Sequence, residues 1–234
     1  MELVEHTPGH IWTVDYPVHY SGLDFSARMS VIRLPDGRLM LHSPCEIDAA
    51  LSARLNALGA VAFIVAPGSY HYFHIPSAQA AFPDAETWIC PGIERKRPDL
   101  QFDGFLSDTC PPAWADSFEQ CLVRGTRFMW EVAFLHKPSK TLILVDLIEN
   151  IGDSTPGTDW KLKLWWKGVF HMWNTPKPAP EYQLGWKDRQ AARASLRRIL
   201  DWDFTRIIIS HGDNIETDAK AVARTAWQNP LSAP

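Results

Sequence analysis

Three short runs constrain this chain most: VAFIVA (61–66), TLILV (141–145) and RIIIS (206–210). Each is almost wholly apolar and rich in β-branched residues, without the polar alternation of a strand that has one face in water. Runs of this kind belong to strands covered on both faces, and so to a sheet with helices or a second sheet against each side. The chain also carries the covering helices. Ala192, Leu196, Ile199 and Leu200 form one apolar stripe, and Ala219, Val222, Ala223, Ala226 and Trp227 form another. The expectation is a layered α/β fold, one domain over residues 1–229 with a disordered tail at 230–234.

Local signals fill in parts of the chain. RMSVIRLPDGRLMLHSP reads as two strands, Met29 to Leu34 and Arg38 to His42, turning at Asp36-Gly37. A helix is expected to follow, with Ser43 as its N-cap, Pro44 at its first position and Glu46 completing a capping box. Ile47, Leu51, Leu55 and Leu58 share its apolar face, and Gly59 stops it. The proline-rich stretch from Cys90 to Phe118 has little periodicity and reads as a long surface excursion. Beyond the loop GDSTPGTD (152–159), Leu162, Trp165, Trp166, Val169, Phe170 and Trp173 line one helical face, with Lys161, Lys163 and Lys167 largely off it. That pattern fits a lid or core helix, or a helix lying on a membrane surface.

Composition narrows the function classes. The net charge is −4, so no global basic field points to nucleic acid. No apolar run approaches the ~18 residues of a membrane span, and MELVEHTPGHIW lacks the basic start of a secretory signal. Cys45, Cys90, Cys110 and Cys121 are scattered, without a CxxC pair, which fits a reducing cytoplasm. The expected partner is a small-molecule substrate, with no nucleic acid and no stable membrane association.

Each apolar run leads into metal-ligand chemistry. His71 and His74 follow the first, Asp146 the second and His211 the third. Loops at the carboxyl ends of strands in α/β sheets converge on one place, and imidazole with carboxylate suits zinc, iron or manganese. Each residue also has a plain structural alternative: Asp146 as a turn cap, His211 bonded to a buried carbonyl. Glu149, just past Asp146, is a further ligand or acid/base candidate. His42, in LMLHSP, either orients a metal-bound group or is a core histidine.

The order and context of these residues resemble the metallo-β-lactamase-like superfamily, whose fold is a four-layer αββα sandwich. More narrowly, RMSVIRLPDGRLMLHSP, VDLIEN, DRQAARASLRRIL and SHGD resemble an uncharacterised branch known only as a domain of unknown function, over roughly residues 10 to 225. The superfamily's His-x-His-x-Asp-His motif falls on residues 69 to 74, with Ser69 in place of the first histidine and Phe73 in place of the aspartate. The third metal histidine, before VAFLH, has its nearest match in Arg127, a candidate for a salt bridge or for binding an anionic substrate. Asp146 matches the bridging aspartate, and His211-Gly212 the final histidine.

The resemblance therefore implies one metal in place of two. His74, Asp146 and His211 would hold it and His71 would assist, Asp146 serving also as the catalytic carboxylate. The expected function is a mononuclear metal-dependent hydrolase with zinc, or with iron or manganese, under the tryptophan-bearing segment as a lid. Two alternatives stand beside it: a non-catalytic binding or regulatory relative whose vestigial site holds no metal, and a mononuclear iron redox enzyme.

Overall fold

The structure is a computed structural model that describes residues 1–232. Eleven strands form two sheets. β1 (Val4–Thr7), β2 (Ile11–Tyr20), β3 (Leu23–Arg33) and β4 (Leu39–His42) run antiparallel to one another. After helix α1 (Ala49–Leu58), β5 (Val61–Ala66) joins β4 in parallel. Helix α2 (Ile75–Ala81), β6 (Glu86–Ile89), helix α3 (Ile93–Lys96) and β7 (Gly104–Phe105) complete a seven-stranded sheet in sequence order. β8 (Phe118–Leu122), β9 (Val132–His136) and β10 (Thr141–Ile143) open the second sheet. Helices α4 (Trp160–Gly168), α5 (Pro180–Gly185) and α6 (Arg189–Asp201) precede β11 (Arg206–Ile208), which pairs with β10 in parallel, giving the order β11-β10-β9-β8. Helices α7 (Ala219–Ala226) and α8 (Gln228–Ser232) end the described chain.

The hydrophobic contacts divide into three layers, which is why the fold has four. Ile32, Met40 and Phe63 meet Phe118, Phe134 and Ile208 between the sheets. Leu39 and Leu41 pack outward on Leu51 and Leu55 of α1. On the opposite face, Leu135, Leu142 and Ile207 pack on Leu196, Ile199 and Ala223. The two-sided burial read from the three apolar runs is thus met by a helix layer outside and a partner sheet inside. No helix of the described residues is long and apolar enough to cross a membrane, and all four cysteines are free thiols.

Four local expectations are corrected. The helix after β4 begins later: Asp48 caps it by accepting from the Leu51 N–H, while Ser43 has a left-handed backbone with φ 57° and its hydroxyl goes elsewhere. The proline-rich segment is no surface excursion. It contributes α3, the edge strand β7 and buried Leu100, Leu106 and Trp114, the last edge-on to Phe63 at 4.9 Å. Helix α4 stops at Gly168, so its tryptophan stripe is not a buried face; Leu162 is buried, but Trp165 and Val169 are about half exposed. Residues 230–232 belong to α8, with Pro230 buried, and residues 233 and 234 lie outside the described chain.

Trp114→Ala is expected to lower the unfolding free energy by about 3–5 kcal/mol, because the cavity it leaves lies between the sheets. Urea denaturation reads this directly. A loss under about 1 kcal/mol would remove the segment from the core.

Candidate metal centre

The carboxyl ends of β5, β10 and β11 meet at one end of the sandwich. The β10–β11 ladder runs as far as the Leu144 N–H, which donates to the Ile208 carbonyl at 2.9 Å. The next three amides turn away from it. Val145, Asp146 and Leu147 donate their N–H groups to the Glu131 carboxyl at 3.1, 2.7 and 2.8 Å. Glu131 is fully buried just ahead of β9. Burial and the charge of Asp146 push its carboxyl up, while the three N–H bonds pull it back. This clamp presents the Asp146 side chain to the space in front of the strands.

The turn carrying His71 is stitched to the same place. Val132 donates its N–H to the Pro67 carbonyl at 2.7 Å, and Ser69 donates its own to the Trp130 carbonyl at 2.9 Å. The Ser69 hydroxyl accepts from the Trp130 N–H at 3.2 Å, so the residue at the motif's first position is a buried structural tie. Lys96 donates to the Ser69 carbonyl at 2.7 Å and lies 3.6 Å from the centre of the Tyr70 ring. A side chain on Gly68 would press on Val145 and the His71 ring, which is why this turn needs glycine there.

Within this frame His71, Asp146 and His211 come together, each offering one ligand atom within 4.8 Å of the others. His71 Nε2 is 3.2 Å from Asp146 Oδ1, and His211 Nε2 is 3.4 Å from the same oxygen. The far nitrogen of each ring is anchored. His71 Nδ1 meets the Ser43 hydroxyl at 2.7 Å, and His211 Nδ1 donates to the Ser26 carbonyl at 3.0 Å. Arg28 steadies the His211 loop by donating to the Ile209 and Gly212 carbonyls, both at 2.9 Å. All three ligand side chains are nearly buried, at 5–8 % exposure.

The charges respond to this packing. Burial alone would raise Asp146, but the charge of His71 and bonds from His211 and His71 hold it well below the usual carboxylate range. Burial alone would lower His211, but Asp146 and Glu149 draw it up to about 9. Asp146 Oδ2 is buried and accepts no well-aligned hydrogen bond, although His71 Nε2 lies 3.2 Å from it. Two imidazoles with anchored Nδ1 atoms and inward Nε2 atoms, facing a buried carboxylate, make a donor set that fits a divalent metal.

The remaining sequence candidates are placed differently. His74, expected as the stronger ligand, does not join the cluster. Its Nδ1 meets Glu46 at 3.3 Å and its ring stands edge-on to Tyr16. The two histidines of the 69–74 turns have different partners, and His74 is the N-cap of α2. His42 faces the inter-sheet core, edge-on to Phe134, with burial and the nearby charge of His71 pushing it down to about 3 and Nε2 unpartnered; it is not one of the three clustered side chains. Phe73 is 55 % exposed and stacks on Tyr72. Arg127 is exposed over the Phe128 ring, outside the pocket lining. Glu149 is buried on the pocket wall, where Trp166 Nε1 donates to it at 3.1 Å, and burial pushes its carboxyl up to about 8.

Sequence reasoning missed Ser43, Ser26, Arg28 and Glu131. Ser43 carried a usable signal, since it sits at a strand's carboxyl end beside the other candidates. Ser26 and Arg28 act across the two sheets, and Glu131 acts between neighbouring strands of one sheet; no local pattern encodes either contact.

The fold has close company among solved structures. A metallo-beta-lactamase from Pontibacter korlensis superposes with a TM-score of 0.65 at 12 % identity, covering 97 % of this chain and 99 % of that one. The metallo-beta-lactamase FIM-1 from Pseudomonas aeruginosa, in its mono-zinc form, gives 0.63 at 10 % identity over 99 % and 95 %. The metallo-beta-lactamase from Hirschia baltica gives 0.62 at 10 % identity over 98 % and 97 %. Identities this low establish a shared fold and nothing further. No protein of curated function matches in sequence. The family model described as "Domain of unknown function (DUF4336)" matches residues 8–164, more than half of the chain. This protein therefore belongs to the DUF4336 family, and it carries the metallo-β-lactamase-like fold.

Proposed function

We propose that this protein is a mononuclear metal-dependent hydrolase in which His71, Asp146 and His211 hold one divalent metal, zinc first among the candidates. The observation that carries this is the pair of imidazoles, each anchored at Nδ1, whose Nε2 atoms converge on the buried Asp146 carboxylate. A metal bound there would supply Lewis acidity and a water acidified to a pKa of about 7. That FIM-1 is described in a mono-zinc form shows that this fold can carry a single ion in that protein.

The chain's own residues supply the rest. Ser43 and Ser26 fix the two imidazole rings, and the Glu131 clamp fixes the carboxylate between them. No carboxylate stands at position 73 to steer a water. Glu149, raised by burial and lining the same pocket, is the residue suited to hold a proton for a departing group. Trp165, Trp166 and Phe170 wall the pocket and limit its water. A non-catalytic binding role is the second reading, favoured by Phe73 in place of the motif aspartate.

Elemental mass spectrometry on untagged protein should find about one metal per chain, zinc, iron or manganese. His71→Ala and His211→Ala should abolish it while His74→Ala keeps it, and Ser43→Ala should weaken affinity about tenfold. Metal lost with His74→Ala, or kept by a folded His71→Ala/His211→Ala double variant, would overturn this ligand set. Stoichiometric metal without turnover across ester, thioester and amide panels would favour the binding role.

The metal-free protein should also show a pH signature. The His211 pKa lies near 9 in the fold against 6.5 for the free imidazole, so its contribution to stability is complete below 6.5 and lost as the pH rises through 9. Thermal melts in chelator should fall across that window, and His211→Gln should flatten the slope. A slope unchanged by the substitution would assign it to another group.

A further inference from the structure

The metal candidates lie on the wall of a cavity of about 700 Å³ whose remaining chemistry is one-sided. Tyr20, Tyr70, Phe73, Trp165, Trp166 and Phe170 supply aromatic walls. Besides its histidines and tyrosines, the ionisable side chains there are carboxyls, those of Asp146, Glu149 and Glu181; among the described residues no lysine or arginine lines the cavity. Asp146 is taken up by its two histidines. Glu149 and Glu181 are not so matched. Burial raises both carboxyls, the charge of Asp146 adds to each and Glu181 adds to Glu149, while the cationic group that opposes this is His211, which Asp146 already engages. Glu149 bonds only the neutral indole of Trp166. Ionising two carboxyls in an aromatic cavity without a counter-ion is costly, so burial holds the proton on Glu149 up to about pH 8 unless a ligand brings the positive charge.

We propose that this cavity binds an apolar molecule bearing a protonated amine, with the ammonium held by Glu149 and Glu181 and the hydrocarbon against the aromatic walls. The Trp166 indole, fixed beside the Glu149 carboxyl by its hydrogen bond, sets an aromatic face next to a carboxylate. That combination recognises ammonium through both charge and ring quadrupole. An anionic ligand would meet only like charge away from the metal candidates. As a statement of what the hydrolase acts on, this rests on the function proposed above; as a binding site it rests on Glu149, Glu181 and the aromatic walls alone.

The test is calorimetric titration of the full chain, as purified and after chelation, with three probes on one skeleton: 2-(2-naphthyl)ethylamine, the matching alcohol and the matching carboxylate. The amine should bind at least about tenfold tighter than the alcohol in both preparations, and the carboxylate should be weakest after chelation. Glu149→Gln/Glu181→Gln should bring the amine to within about threefold of the alcohol, and Glu181→Gln alone should remove part of the preference if the double variant misfolds. An amine no tighter than the alcohol, a preference surviving in the folded double variant, or no binding of any probe at millimolar concentration would overturn the proposal. Amine preference in a protein that takes up no metal would sustain this site and sink the hydrolase. Metal uptake with no preference would do the reverse.

Discussion

The buried carboxyl of Glu131 holds the functional end of this molecule together. Where β10 runs out of partners, three consecutive amides would be left in a dry interior, at a cost of roughly 1–3 kcal/mol for each unsatisfied group. Glu131 accepts all three, and its own backbone segment is paired to Pro67–Ser69 in the other sheet. One side chain thus ties the Asp146 turn, the start of β9 and the His71 turn into a single unit.

That unit explains how a degenerate motif can keep a coherent centre. The superfamily's first histidine position is occupied by Ser69, which became part of the stitching, with Lys96 fastening its carbonyl. Its aspartate position is occupied by Phe73, turned to the pocket mouth. What remains around Asp146 is a compact set with every ligand's outer atom anchored: Ser43 behind His71, Ser26 and Arg28 behind His211 and its loop. The supports of this cluster come from β3 and from the residues beside β4 and β9, so they do not depend on what stands at positions 69 and 73.

The pocket in front of the centre has a different character from the sandwich behind it. Its walls combine residues of β2 and β3, the 69–74 turn, helix α4 and the start of α5. Helix α4 contributes tryptophans that are half exposed on one side and face the cavity on the other, which its hydrophobic content alone would have assigned to a core. Two buried or half-buried acids lie on this wall without lysine or arginine beside them, an arrangement that packing alone gives no reason for.

How much was legible in the sequence follows from the range of the forces involved. Strand and helix character is local: three β-branched apolar runs and two apolar helical stripes state that both faces of a sheet are covered, and the layers follow. The convergence of Asp146 and His211 was legible too, because strand ends gather wherever parallel strands neighbour one another. The choice of His71 over His74 was not, since two residues three apart are equivalent until the turn between them is fixed by Gly68, Ser69 and Lys96. Nor was Ser43 as a partner of His71, because its sequence context fits a helix cap equally well and only the left-handed backbone there turns it away. Sequence by itself determined that the three β-branched runs are buried and which chemistry they end in. Tertiary structure alone decided which of those groups face each other, because hydrogen bonds and charge act over a few ångströms and the partners lie in different sheets.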